Sequence, residues 1–112
     1  MQVDKIIGEA NEIAEKYNLK LLEIDRTDNI ISLKLSIDKD LFIQIYGNVE
    51  SNKLNLALVL KNRRLYGYDY EGGSYHCHPF ANPEGHINVG ARKTIQAFVQ
   101  ESMRFLEEKN IL

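Results

Sequence analysis

The segment between residues 66 and 90 holds most of the side chains in this sequence that can do chemistry. It contains all three histidines, the single cysteine, both prolines and four of the six tyrosines. Histidine changes its charge near neutral pH and is the side chain used most often for proton transfer in catalysis. Loops and strand ends held by a rigid sheet commonly carry such groups. The sequence therefore indicates that a functional site, if there is one, lies in this segment.

A hairpin turn organises these residues. Residues 71–74 read Glu-Gly-Gly-Ser, and two central glycines are typical of a tight turn that needs positive φ. If the first and last of these residues pair, Asp69 lies opposite His76. Asp69, His76 and His78 then share one face of the sheet, and the tyrosines and Cys77 share the other. Directly opposed Cβ atoms are about 4.5–5.5 Å apart, so we expect the carboxylate to orient His76.

The predicted catalytic residues are Asp69, His76, His78 and His86. A histidine beside a carboxylate is suited to cleavage of a phosphodiester without a metal, with His76 or His78 as general base or acid. This interpretation needs no metal and no cofactor. A second interpretation is a metal site, because two histidines at i and i+2 on a strand point the same way and His86 can complete a set of three. A third is that the histidines are structural, at a polar sheet edge.

Basic and aromatic side chains near this segment are candidates for holding a phosphate or stacking a nucleobase. Arg92 and Lys93 fall in the predicted first turn of the last helix, where a cation opposes the helix dipole unless an anion binds there. The alternative is that these charges are only solvated. The predicted nucleic-acid or anion-binding residues are Arg63, Arg64, Tyr68, Tyr70, Arg92 and Lys93.

The elements that must position these residues are visible as hydrophobic periodicity. Apolar residues at three- and four-residue spacing predict a helix from Val3 to Tyr17 and another after Asn88 or Gly90, and Asn18 is a plausible stop for the first. Alternation predicts strands near 20–26, 31–37, 41–45, 54–60 and 65–71. Connections this short favour antiparallel pairing. We therefore predict an α+β fold, an antiparallel meander of about five strands with an N-terminal and a C-terminal helix packed on one face.

Length and composition exclude several classes of protein. A chain of 112 residues with 44% hydrophobic residues fits a single domain, residues 1–112, and is not typical of disorder. A net charge of −2 argues against coating nucleic acid by bulk charge. No apolar run approaches the roughly 20 residues of a membrane span, and the one cysteine cannot form an internal disulfide. We expect a cytoplasmic protein.

The stretch from Leu54 to Ile87 resembles the TumE-type family, toxin components of prokaryotic toxin–antitoxin pairs. The resemblance lies in the strand Arg64-Leu65-Tyr66-Gly67-Tyr68-Asp69 and in the histidine-rich segment that follows it. It covers roughly residues 30–88. The resemblance implies a compact α+β protein with a helix-turn-helix antitoxin as its partner. The matching positions are Asp69, His76, His78, Pro79 and His86.

Two functions from different classes follow from these features. The first is a toxin that acts on RNA, possessing endoribonuclease activity through the segment 66–86. The second is a non-catalytic, dimeric binding or regulatory module; a His-ligated, metal-dependent enzyme is a further alternative. A homodimer is expected in either case, because Phe42, Ala57 and Val59 lie on the strand face that the helices do not cover and are weakly polar choices for bulk water.

Overall fold

The fold is a single antiparallel sheet with a helix at each end of the chain. The computed structural model describes residues 1–71, 73–82, 84–85, 87–90 and 93–112. Within these residues the helices are α1 (Val3–Tyr17) and α2 (Ile95–Glu108). The strands are β1 (Lys20–Arg26), β2 (Ile30–Asp38), β3 (Leu41–Asn48), β4 (Lys53–Leu60), β5 (Arg63–Glu71), β6 (Ser74–His78) and β7 (Ile87–Val89). They follow one another across the sheet in chain order, each antiparallel to the next.

The prediction of an α+β antiparallel meander is confirmed, but the number of strands was wrong. The described residues form seven strands, not five. The two additional strands, β6 and β7, are five and three residues long. They carry histidine, cysteine and asparagine in place of an apolar alternation. Their pairing follows from the preceding hairpin, so hydrophobic periodicity could not reveal them.

The start of the second helix was also predicted too early. Residues 87–89 are occupied by β7, and α2 begins at Ile95 with Thr94 as its N-cap. The Thr94 hydroxyl accepts a hydrogen bond from the Ala97 backbone N–H at 3.1 Å. Lys93 therefore precedes the helix and does not lie in its first turn. The first helix ends as predicted, with Asn18 in the left-handed conformation at φ 55°.

One face of the sheet is the hydrophobic core. Alternate residues of β2, β3 and β4 are buried together with the apolar stripes of both helices, and most of the intervening residues are polar or small. We call the covered side the helix face and the opposite side the open face. The buried strand residues of the helix face are Ile31, Leu33, Leu35, Leu41, Ile43, Ile45, Leu54, Leu56, Leu58, Tyr66 and Tyr68. Neither helix in the described residues is long and apolar enough to cross a bilayer.

This core predicts a large difference between two leucines of the same sheet. Leu58 is 0% exposed on β4, whereas Leu22 is 37% exposed on the edge strand β1. Leu58→Ala leaves a cavity, and we expect the free energy of unfolding to fall by about 3–5 kcal/mol. Leu22→Ala should cost less than about 1 kcal/mol. Urea denaturation of both variants measures this, and equal losses would contradict the assignment of the core.

Candidate functional site

The hairpin of β5 and β6 has the register that the sequence predicts. Asp69 lies opposite His76 and Gly67 lies opposite His78, while Tyr68 lies opposite Cys77. The two histidines and the aspartate are therefore on the open face, and the tyrosines and the cysteine are on the helix face. Gly73, with φ 80°, adopts the left-handed conformation that glycine tolerates, as the turn requires.

The open face brings the hairpin residues beside two further strands. One row across the sheet is Tyr46, Asn55, Asp69 and His76, on β3, β4, β5 and β6 in turn. The next row is Gln44, Ala57, Gly67 and His78. Two adjacent small residues in the centre of the second row leave a depression between larger neighbours. This open-face cavity has a volume of about 280 Å³ and is lined by Gln44, Tyr46, Asn55, Ala57, Arg64 and Asp69.

Arg64 reaches this cavity because β5 contains a bulge. Leu58 pairs with Tyr66, but the next residue, Val59, pairs with Arg64, so Leu65 is an extra residue on β5. In a regular strand Arg64 would share the face of Tyr66, since side chains two apart point the same way. The bulge reverses this and puts the guanidinium on the open face.

Gly67 lets two side chains approach the floor of the cavity. A Cβ atom at this position would lie 3.1 Å from Arg64 Cδ and 3.3 Å from His78 Cδ2, which is closer than most Cβ contacts allow. The side chains of Arg64 and His78 therefore pass over the glycine backbone, one from each side. A glycine inside a strand often marks such a close approach.

Asp69 is held by a buried histidine. His78 Nε2 lies 3.0 Å from Asp69 Oδ2, and the histidine side chain is 2% exposed, whereas the aspartate side chain is 19% exposed. Because an ionised carboxylate can only accept, the proton of this hydrogen bond is on Nε2. The sequence predicts that Asp69 orients His76, its cross-strand neighbour. The hydrogen bond at 3.0 Å comes from His78, two residues along β6.

His76 is the more accessible of the two histidines. It is half-buried on the open face, opposite Asp69 and beside the carboxylate of Glu71. A hydrogen bond from Lys53, whose Nζ is 3.0 Å from Glu71 Oε1, holds the pKa of Glu71 below its usual value, and His76 contributes in the same direction. The open face thus carries the ammonium group of Lys53 on β4, the carboxylate of Glu71 on β5 and the imidazole of His76 on β6.

The helix face holds a separate polar cluster. Lys93 Nζ donates to both carboxylate oxygens of Glu101 at 2.6 and 2.7 Å and to Tyr66 Oη at 3.1 Å. The Tyr66 hydroxyl donates to Glu101 Oε2 at 2.8 Å. The Tyr66 ring stacks between Phe80 and Phe98, with centroid distances of 4.1 and 4.9 Å. These contacts tie the segment before α2 and the helix itself to β5.

The predicted anion-binding residues are therefore divided between two faces. Tyr68 is only 8% exposed and lies under the Lys93 ammonium group, on the opposite side of the sheet from Asp69. Tyr70 is half-buried against Tyr75, with ring centroids 4.6 Å apart. Arg63 is exposed at the start of β5. Of these predicted residues, the described structure brings only Arg64 into the cavity beside Asp69.

Two predicted residues, His86 and Arg92, lie outside the described residues. The alternative of a three-histidine metal site depends on His86. Among the residues that the structure does describe, no group of three His, Cys, Asp or Glu side chains is arranged to hold a metal ion. Burial raises the pKa of the Cys77 thiol, so the thiol form is favoured. In this form the Cys77 side chain packs as a small apolar group.

Gln44, Asn55 and Tyr46 are site residues that the sequence did not single out. All three occupy the polar positions of alternating strands, which usually means only that they face solvent. The signal that they belong with Asp69 is their register across β3, β4 and β5. That register follows from two hairpin turns and a bulge.

The helix-face cluster predicts a pH dependence of stability at high pH. Burial, reinforced by the hydrogen bond with Glu101 and by its negative charge, raises the pKa of Tyr66. An unfolded tyrosine titrates near about 10. Above that pH the unfolded state loses a proton that the folded state keeps, so the free energy of unfolding must fall as pH rises. Tyr66→Phe should remove the part of this decrease in the free energy of unfolding that is due to Tyr66. Denaturation at several pH values between 9 and 11 measures it. An unchanged slope would contradict the burial of the phenol.

Comparisons of the chain with protein-family models, with curated proteins and with solved structures find no match.

Proposed function

We propose that this protein acts on RNA as a toxin-type endoribonuclease, and that the open-face cavity is its site. The observation that carries the proposal is the meeting of three groups on one surface. Arg64 and Asp69 line the same cavity, and the half-buried His76 lies opposite Asp69 on the adjoining strand. A cation for the phosphate, a carboxylate and an accessible histidine are the groups that metal-independent phosphodiester cleavage uses.

Single-stranded RNA is the form of substrate that this face fits. Phe42 and Tyr46 lie on β3 on either side of Gln44, and all three point to the open face. Lys34 Nζ lies 4.2 Å from the centroid of the Phe42 ring. Recognition of unpaired bases commonly relies on aromatic side chains on an open sheet, beside basic groups that contact the backbone. Basic side chains on one face of the sheet are compatible with a net charge of −2 for the whole chain.

The proposed reaction is an intramolecular transesterification. The ribose 2′-oxygen attacks the adjacent phosphorus and the bond to the 5′-oxygen breaks, which yields a 2′,3′-cyclic phosphate and a 5′-hydroxyl end. His76 accepts the proton of the 2′-hydroxyl, and water protonates the leaving oxygen. Arg64 binds the phosphate and stabilises the charge that develops on its oxygens.

The biological setting of this proposal comes from the resemblance to TumE-type toxins. A cytoplasmic RNA-cleaving toxin arrests growth and is neutralised by a cognate helix-turn-helix antitoxin. The proposal therefore includes such a partner. Its first test is expression in a bacterial host: the wild type should arrest growth and His76→Ala should not.

The direct test is cleavage of RNA in vitro. We expect the purified protein to cleave a fluorescently labelled single-stranded RNA in the presence of EDTA. His76→Gln should lower the cleavage rate by roughly 10²–10⁴-fold, because it removes the proton acceptor. The same variant should bind an uncleavable RNA with 2′-deoxyribose at every position as well as the wild type does. Gel electrophoresis and fluorescence anisotropy measure the two quantities.

The chain offers a matched control for the phosphate contact. Arg64→Gln and Arg63→Gln each remove one positive charge from neighbouring positions of β5, but only Arg64 lines the cavity. We expect Arg64→Gln to weaken RNA binding about tenfold and Arg63→Gln to have a much smaller effect. Equal effects of the two variants, or activity that EDTA abolishes, would overturn the proposed mechanism.

A second candidate function, a non-catalytic dimeric module, is favoured by a different observation. The open face also carries apolar side chains near the cavity, Phe42 and Val59 from the same row and Leu22 at 37% exposure on β1. His78 is 1% exposed, so its ring is shielded from any substrate. In this alternative the open face is covered by a second copy of the chain.

The two candidates are separated by whether a dimer buries the open face. If the open face is a dimer interface, light scattering at micromolar concentration should give about twice the chain mass. Val59→Glu should then shift the protein to a monomer, since it buries an unpaired charge. A monomeric wild type whose mass is unchanged by Val59→Glu would remove this candidate and leave the open face available to RNA.

A further inference from the structure

We propose that the open-face cavity recognises guanine, with Asp69 as the residue that reads the base and His78 as the residue that positions Asp69. The inference rests on the proposed function, because it names the nucleotide that the RNA site selects. It depends on three features of the cavity: the carboxylate held by a buried histidine, the depression beside it, and the charge of Arg64.

The burial of the Asp69–His78 pair distinguishes the two roles. His78 is enclosed, so it cannot exchange protons with a substrate directly, whereas part of the Asp69 side chain remains accessible. The hydrogen bond from His78 Nε2 to Asp69 Oδ2 fixes the carboxylate plane relative to the sheet. Each carboxylate oxygen has two lone pairs, so Oδ2 can accept a second hydrogen bond while it keeps the first. The pair is therefore built to present a rigid acceptor.

A rigid carboxylate discriminates among the four bases because they differ in the number of adjacent N–H donors on their Watson–Crick edges. Guanine presents two neighbouring donors on its Watson–Crick edge, N1–H and N2–H, which match the two oxygens of one carboxylate. Adenine and cytosine present one amino group beside an acceptor, and uracil presents one N–H between two carbonyls. The Asp69 carboxylate can only accept hydrogen bonds. In a partly desolvated site it therefore disfavours a base whose edge places an acceptor against it.

The shape of the cavity suits one planar ring system. Its floor includes Ala57 on β4, and the Arg64 side chain passes over the neighbouring Gly67 on β5. Tyr46 and Asn55 stand on the same row as Asp69 and form one wall. The volume of about 280 Å³ is slightly smaller than that of drug-sized ligand pockets, which span roughly 300–1,000 Å³. A single base with its ring against Tyr46 would bring its edge to Asp69.

The charge of Arg64 excludes the strongest competing ligand. An arginine side chain of a protein partner also offers paired donors to a carboxylate. However, Arg64 lines the same small cavity, and a second guanidinium there would be repelled by it. A neutral base avoids this repulsion, and its phosphate group gains an attraction to Arg64. The combination of one fixed anion and one cation therefore favours a guanine nucleotide over a basic peptide.

The test compares ribo-oligonucleotides that differ in one base. Fluorescein-labelled heptamers of uridine carry guanosine, inosine, adenosine or cytidine at the centre, and every 2′-hydroxyl is methylated to prevent cleavage. We expect the guanosine heptamer to bind roughly tenfold or more tightly than the inosine heptamer, which lacks only the 2-amino group. Fluorescence anisotropy gives the dissociation constants.

Variants assign the preference to Asp69 and His78. Asp69→Asn should abolish the ratio between guanosine and inosine, because it replaces one acceptor by a donor. Glu71→Gln is the matched control, since Glu71 is a carboxylate on the same strand and face but is paired with Lys53, and it should preserve the ratio. His78→Gln can still donate to Asp69 and should retain more of the preference than His78→Ala. Circular dichroism verifies that each variant is folded.

The outcomes separate this inference from the proposed function. Equal binding of all four heptamers would overturn guanine recognition and leave RNA binding intact. No binding of any heptamer would overturn both. Binding of an arginine-rich peptide that competes with the guanosine heptamer and depends on Asp69 would assign the cavity to a protein ligand and refute the inference.

Discussion

The burial of one face of the sheet is the constraint on which the rest of this structure depends. Two helices cover the sheet in the described part of this 112-residue chain, and both pack their apolar stripes into one core. Because side chains alternate along a strand, every second residue of β2, β3 and β4 is thereby committed to the core. The side chains of the intervening residues therefore point to the open face. A shallow polar site is a direct geometric consequence of this one-sided packing.

The polar clusters of the helix face and of the open face compensate the loss of hydration in different ways. On the helix face, Lys93, Glu101 and Tyr66 satisfy one another with four short hydrogen bonds. Burial alone raises the pKa of the Glu101 carboxyl, but the hydrogen bonds from Lys93 and Tyr66 reverse this and keep it ionised. This cluster closes the contact between β5 and α2. The Tyr66 ring is stacked between Phe80 and Phe98, and the Glu101 carboxylate remains partly exposed at the surface.

On the open face the pairing leaves one partner accessible. His78 is buried and Asp69 is not, so the desolvation of the histidine is compensated by a carboxylate that can also receive a ligand. Removing Asp69 would leave a buried polar ring without this acceptor, and removing His78 would free the carboxylate to move. A pair of this kind suits recognition better than proton transfer. Of the two described histidines, His76 is the more accessible, because it is half-buried whereas His78 is enclosed.

Local sequence patterns were sufficient to predict the regular part of the fold and one part of the site. Alternating apolar residues identify β1 to β5, and the glycine turn at 71–74 predicts the pairing of Asp69 with His76 and the face that each hairpin residue occupies. These features are local, because strand periodicity and turn type involve residues close together in the chain. The division of the tyrosines from the histidines follows from the same alternation.

Which side chains meet in the site depends on contacts between segments that are distant in the chain. The bulge at Leu65 moves Arg64 from the helix face to the open face, and no property of the residues around it signals that reversal. Asp69 is bonded by His78 because Gly67 leaves room for the imidazole, a close approach that involves two strands. Lys93 pairs with Glu101 because α2 starts at Ile95, after β7 has taken residues 87–89 into the sheet. Each of these depends on packing between distant segments, and local periodicity carries no information about that packing.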